Sequence, residues 1–251
     1  MSFGYQVLGF GTIGSSPVQG YTHVAGVGQT TVSNSASTVV GMPSGIQAND
    51  IIYVVQNQLI VSAAGYGNPT ASAGTGFTDA LGNSGYYGYT PYAFAGQASF
   101  FKVAAGNESG QNISGFANST NVGGNAVYRT TFVDVFRPVI GVSTVGSVHA
   151  SQGASGVFSS GPATLSRTRT SPSAGVCLGL VMQMSYQSNA INITASGHNV
   201  IKTVDYAMPT GYYSHCKYRF FTVPPSTDVT VASNSVYGPH GIGVNVKSFT
   251  P

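Results

Sequence analysis

The side chains that most often carry enzyme chemistry are few in this sequence, and they stand far apart. A glycosidase needs two carboxylates across a cleft, and a helical zinc protease site needs two histidines about four residues apart. Neither spacing occurs locally, so the sequence predicts no catalytic residue, no metal site and no cofactor. The six acids and five histidines are Asp50, Asp79, Glu108, Asp134, Asp205 and Asp228, and His23, His149, His198, His215 and His240.

A cluster of tyrosines has residue types that suit binding rather than catalysis. Tyr86, Tyr87, Tyr89 and Tyr92 lie in a stretch, residues 65–92, that is rich in Gly, Asn and Ser. Tyrosine offers a flat, amphipathic contact surface with little rotamer entropy to lose, which suits recognition loops and stacking on sugars. The alternative is that these rings pack over the end of the fold or against another subunit.

The start of the chain alternates apolar side chains with glycines. It is too rich in glycine for a helix and too apolar for a free tail. We therefore interpret residues 1–34 as an arm that docks on a neighbouring subunit, or alternatively as a first strand on its own sandwich. Within it, residues 20–29 are predicted to be a loop. The proposed docking residues are Phe3, Tyr5, Val7, Leu8 and Phe10.

The rest of the chain is predicted to be all-β. Residues 51–55 form a short unbroken apolar run after turn residues 42–45, which is typical of a strand covered on both faces. A similar run follows residue 175, and no convincing helical period appears. Two related halves, about 35–138 and 164–251, each end in an alternating strand closed by proline. They predict a jelly-roll-like antiparallel β-sandwich over residues 35–251.

The composition constrains the surroundings of the protein. Charged residues make up 6% of the 251 residues, against a usual ~25%. Such a surface is easier to tolerate when an assembly buries much of it, or where salt screens charge anyway. The net charge of +3 is too small to indicate nucleic acid. No apolar run approaches the roughly 20 residues of a membrane helix, and the start lacks a basic signal-peptide region, so synthesis in the cytosol is expected.

The chain has two cysteines, and each lies in a strand-like segment. Cys177 and Cys216 could face each other across neighbouring strands. With no other cysteine framework, we favour free thiols in the core over a disulfide.

Two short motifs lie at predicted turns of the first half. Residues 43–52, PSGIQANDII, follow the pattern P-x-G-x-x-x-G-D-hydrophobic, with Asn49 in place of the second Gly. Residues 101–104, FKVA, together with Glu108 follow Y-x-K-x-A…E, and residues 76–78, GFT, stand in place of G-W-T. In these motifs the chain resembles β-sandwich proteins from the structural modules of tailed phages. Its glycine-rich start is similar to that of marine phage virion proteins.

This resemblance implies a non-enzymatic structural protein on the virion surface, made in the host cytoplasm. We expect a capsid decoration or head-fibre protein that forms a symmetric homo-oligomer, with a trimer favoured. Its partners would be other virion proteins such as the major capsid protein. Two alternatives remain open: a tail-fibre or receptor-binding module whose residues 86–92 contact host glycan, and a glycan-active enzyme on the same kind of sandwich.

Overall fold

All regular elements that the structure describes are β-strands, as the sequence predicts. In the described ranges, no helix has the length and apolar character needed to cross a membrane. The structure is a computed structural model, and the residues it describes are 20–32, 37–61, 72–79, 87–89, 93–117, 127–139, 147–152, 157–159, 163–173, 175, 177–185, 189–207, 215–235 and 240–250.

Seventeen strands lie in these ranges. The first eight are β1 (Tyr21–Val32), β2 (Ser37–Gly41), β3 (Ile51–Val61), β4 (Thr78–Asp79), β5 (Tyr87–Tyr89), β6 (Ala93–Val103), β7 (Asn112–Ala117) and β8 (Val127–Pro138). The other nine are β9 (Ser147–Gln152), β10 (Val157–Ser159), β11 (Ala163–Thr170), β12 (Cys177–Ser185), β13 (Ile191–Thr194), β14 (Asn199–Ala207), β15 (His215–Val223), β16 (Asp228–Ser235) and β17 (His240–Thr250).

The described strands pair antiparallel into four sheets. The first large sheet has the order β1-β8-β3-β6-β4, and β5 also pairs with β6. The second large sheet has the order β10-β17-β12-β15-β14, and β9 also pairs with β17. The two small sheets are β2-β7 and β11-β16-β13. A single sandwich would have two sheets, so the described chain carries twice the number that the sequence predicts.

Strand β3 explains why the apolar run is unbroken. Successive side chains on a strand point to opposite faces. Ile51 and Tyr53 belong to one buried cluster, whereas Ile52 and Val54 belong to another. The strand is therefore covered on both faces, as the run of residues 51–55 predicts.

A central cluster of apolar side chains lies between the two large sheets, and both sheets contribute to it. The ring centroids of Tyr53 and Phe220 are 5.0 Å apart, and those of Phe136 and Phe220 are 4.5 Å apart. The large sheets therefore pack face to face. The buried members of the central cluster are Tyr21, Ile51, Tyr53, Val55, Phe101, Phe136, Leu178, Leu180, Met182, Tyr218 and Phe220.

Each small sheet covers the outer face of one large sheet. Beside the first large sheet, Val40 of β2 and Phe116 of β7 share an apolar cluster with Val135 of β8. Beside the second, Leu165 of β11 shares another with Val181 of β12. The sheets therefore stack in the order β2-β7 sheet, first large sheet, second large sheet, β11-β16-β13 sheet. Three separate apolar clusters between these layers form the core.

The prediction that residues 20–29 form a loop is wrong. Residues 21–29 belong to β1, which pairs with β8 from Tyr21 opposite Pro138 onwards. A Cβ atom on Gly26 would lie 2.8 Å from the Asp134 carboxylate, and one on Gly28 would lie 2.9 Å from a Phe132 ring atom. The glycines suggested a loop, but their role is to let side chains of the neighbouring strand approach the backbone of β1 closely.

Candidate functional site

An ion pair holds the turn between β2 and β3. Arg137, at the end of β8, donates from Nε to Asp50 Oδ1 and from Nη2 to Asp50 Oδ2, both at 2.8 Å. Nη2 also donates to the Gly45 carbonyl at 3.0 Å, and Asp50 Oδ2 accepts the Gln47 N–H at 2.8 Å. The hydrogen bonds that Arg137 donates to Asp50 raise the pKa of Arg137. This bidentate, charge-assisted pair ties the turn to the last residues of the sheet.

The backbone of the same turn explains the first motif. Gly45 and Asn49 both have positive φ angles, of 83° and 69°. Glycine adopts this region without steric cost, and asparagine tolerates it better than most residues. Asn49 can therefore replace the motif's second glycine, and the motif serves the geometry of this turn.

Glu108 organises the turn between β6 and β7. Its buried carboxylate lies 2.7 Å from Lys102 Nζ and accepts the N–H groups of Ala105 and Gly106 at 3.0 and 2.9 Å. Burial raises the pKa of Glu108, but Lys102 and the backbone donors outweigh it and lower the pKa to about 2. Glu108 is therefore held as a carboxylate and is unsuited to act as a general acid near neutral pH.

An open groove of about 590 Å³ lies beside this ion pair. Lys102, Glu108 and the half-buried Ile113 line it, together with five polar residues: Asn107, Gln111, Asn112, Thr75 and Ser114. All five residues are exposed. This groove is the candidate binding site in the described part of the chain.

A second polar network crosses the boundary between the two large sheets. Asp134 of β8, buried, lies 2.8 Å from His23 Nε2 of β1. Its other oxygen accepts the Tyr218 hydroxyl of β15 at 2.7 Å, and Lys202 Nζ of β14 is 3.9 Å away. Burial, followed by the charge of Asp134, raises the pKa of Tyr218, so its hydroxyl remains a donor. The network fastens the first large sheet to the second.

Lys247 of β17 is buried against the other large sheet. Its Nζ lies 4.7 Å from the ring centroid of Phe101, a cation–π geometry. Burial lowers the pKa of Lys247 to about 8. A large part of its charge is therefore retained at neutral pH, at the boundary between the two large sheets.

The predicted tyrosine site is only partly described. Tyr87 and Tyr89 lie in β5, paired with Ala95 and Ala93 of β6 at the edge of the first large sheet. Tyr86 and Tyr92 lie outside the described residues, as do the docking residues Phe3, Tyr5, Val7, Leu8 and Phe10. Contact of these side chains with a glycan or a subunit stays a prediction.

The prediction of free core thiols is confirmed. Cys177 and Cys216 are both buried and unpaired with each other. Cys177 lies opposite Val223, whereas Cys216 lies opposite Met184. The pairing places them about seven residues apart along β12, or roughly 23 Å. Burial raises the pKa of Cys177 to about 11, so this thiol is a poor nucleophile at neutral pH.

The sequence did not reveal the Asp134 network or the amide groove. His23 and Asp134 are 111 positions apart, and Tyr218 and Asp134 are 84 apart. For the groove a partial signal existed, because the second motif already names Lys102 and Glu108. Within the described ranges, no three His, Cys, Asp or Glu side chains are grouped to hold a metal ion.

Comparison with protein-family models, with curated proteins and with solved structures gives no match to this chain. The class that the fold defines is an all-β protein of antiparallel sheets.

Proposed function

We propose that this protein is a non-enzymatic structural component of a tailed-phage particle. It is displayed on the surface as a capsid decoration or head-fibre protein and forms a symmetric homo-oligomer, with a trimer favoured. The supporting observation is that three of its carboxylates hold parts of the fold together. Asp50, Glu108 and Asp134 are all buried, and each accepts hydrogen bonds that hold a turn or the boundary between sheets. Three of the six acids are thus committed to the fold.

The same proposal includes a jelly-roll-like topology built from two related halves. In each half a central strand lies between two partners: β3 between β8 and β6, and β12 between β17 and β15. The small sheets repeat the relation, with β2 beside β7 and β11 beside β16. In a jelly roll of eight strands, the first, eighth, third and sixth form one sheet and the second pairs with the seventh. The order β1-β8-β3-β6 with β2-β7 supports that topology.

The outer face of the three-stranded sheet supports burial in an assembly. Its exposed side chains on β11 are hydroxyls: Thr164, Ser166, Thr168 and Thr170. Thr168 and Thr230 of β16 lie within hydrogen-bonding distance of each other, at 2.8 Å. Apart from the exposed Asp228, which accepts the Thr170 hydroxyl at 2.6 Å, this face presents paired hydroxyls that another protein covers at a lower desolvation cost than charged groups.

The test is the mass of the protein in solution, measured by size-exclusion chromatography with light scattering at micromolar concentration. We expect a closed oligomer of defined stoichiometry. A strict monomer counts against the proposal. Deleting residues 2–14 should abolish attachment to particles while the far-UV circular dichroism spectrum keeps its β signature. Unchanged attachment would remove the docking role of the arm.

A receptor-binding module is the second candidate, favoured by the position of β5. Edge strands leave one side unpaired, and Tyr87 and Tyr89 lie on such a strand of the first large sheet. On an array of host glycans, binding should weaken in the Tyr87→Ala and Tyr89→Ala variants. No binding, or binding unchanged in both variants, argues against this candidate.

A further inference from the structure

The groove beside the Lys102–Glu108 pair has no role in the function proposed above. We propose that it is a binding site for an uncharged oligosaccharide. The inference does not depend on a virion location, because it rests on the chemistry of the groove alone.

The walls of the groove are held by backbone hydrogen bonds on both sides. The Thr75 N–H donates to the Ser114 carbonyl at 3.2 Å, which fixes one wall to β7. The Gln111 N–H donates to the Glu108 carbonyl at 3.0 Å, and the Gln111 carbonyl accepts the Met42 N–H at 2.8 Å. The side chains that face a ligand therefore stand on a fixed backbone, which reduces the entropy lost on binding.

The charge of the groove favours a neutral ligand. Lys102 and Glu108 supply one positive and one negative charge, and they are 2.7 Å apart. An anion would compete with Glu108 for Lys102, and a cation would compete with Lys102 for Glu108. Either would disturb the contacts that hold the turn at Ala105 and Gly106.

Apart from Ile113, the remaining lining residues are polar and match sugar hydroxyls. A hydroxyl both donates and accepts hydrogen bonds, and the side chains of Asn107, Gln111 and Asn112 do the same through NH₂ and C=O groups. A volume of about 590 Å³ lies within the usual range for ligand sites, roughly 300–1,000 Å³. The groove is open to solvent, so a longer chain can extend out of it.

This site is separate from the tyrosine site. Tyr89 pairs with Ala93 at the start of β6, whereas Lys102 lies near its end. Nine residues of extended strand separate those positions, or about 30 Å. Variants at one site should therefore leave the other intact.

The test uses the full chain on an array of neutral oligosaccharides, with sialylated and sulfated oligosaccharides as charged comparators. We expect binding to at least one neutral glycan. The Gln111→Ala, Asn112→Ala double variant should lose about tenfold or more in affinity, measured by calorimetry with that glycan. The matched control is Asn234→Ala, an exposed asparagine on β16 whose loss should leave affinity unchanged.

Three results would overturn the proposal: no neutral glycan bound, only charged glycans bound, or affinity unchanged in the double variant. If the double variant does not fold, Asn107→Ala alone keeps the test, since its side chain is exposed and lines the same groove. Tyr87→Ala and Tyr89→Ala should not change groove binding. If only the tyrosine variants lose binding, and the groove variants keep it, the tyrosines recognise the glycan and the proposed groove site is refuted.

Discussion

Replacing Arg137 by alanine should destabilise the protein through Asp50. Arg137 supplies two hydrogen bonds to that carboxylate, which is 1% exposed and keeps the Gln47 N–H as a donor. Breaking a fully buried pair costs about 3–5 kcal/mol, and breaking an exposed one costs at most about 1 kcal/mol. Because Arg137 is 33% exposed, we expect an intermediate loss of about 2–3 kcal/mol.

The loss is measured by urea unfolding followed by far-UV circular dichroism. In a chain of this size it corresponds to a fall in Tm of about 4–12 °C. Lys202→Ala is the matched control. Lys202 is similarly exposed, at 30%, but its Nζ lies 3.9 Å from the Asp134 carboxylate, which is a longer contact than that of Arg137 with Asp50. Its loss should stay below about 1 kcal/mol.

Combining Arg137→Ala with Asp50→Asn isolates the pair. The double-mutant cycle should give a coupling free energy of at least about 1.5 kcal/mol. Equal losses for Arg137→Ala and Lys202→Ala, or a coupling near zero, would refute the reasoning that this pair holds the turn.

Three further predictions concern other buried polar groups. Tyr218→Phe removes a hydrogen bond to buried Asp134, so it should cost about 1.5–3 kcal/mol in the same urea assay; a neutral effect would show that the boundary does not need this bond. The folded-state pKa of Glu108, about 2, lies below its ordinary 4.5, so its ionised form stabilises the fold above pH 4.5 and that contribution is lost as pH falls towards 2. Glu108→Gln should therefore be less stable than wild type at pH 6, with a gap that narrows between pH 4.5 and 2; a gap independent of pH contradicts this. Lys247 has a folded-state pKa of about 8 against 10.5, so wild-type stability should rise between those pH values. Lys247→Met should be more stable than wild type at pH 7, with an advantage that shrinks above pH 8, and thermal melts at pH 7 and pH 10 check the sign.

Local patterns predicted the elements that local physics decides. The run of residues 51–55 indicated a strand covered on both faces, because it is short, rich in β-branched residues and bounded by turn residues. Pro138 was expected to end its strand, and β8 ends there. The turn before β3 followed from Pro43 and Gly45, whose backbone preferences are independent of the rest of the fold.

The number of sheets and the first strand could not be predicted in the same way. Strand β1 looks like a loop until Phe132 and Asp134 are known to lie against Gly28 and Gly26. The Asp134 network joins residues more than 80 positions apart in sequence. Such contacts depend on how the sheets stack, and alternation along a single strand carries no information about which sheet covers it.

The central cluster has a consequence for the way the polypeptide can be divided. Each large sheet is built from strands of one part of the chain alone, so opening the backbone between Pro138 and Ser147 cuts no strand that the structure describes. Each fragment would then expose its share of the central cluster, including Tyr53 on one side and Phe220 on the other. We expect two co-expressed fragments to associate through those faces and to restore the complete fold. The protein is therefore suited to use as a split reporter.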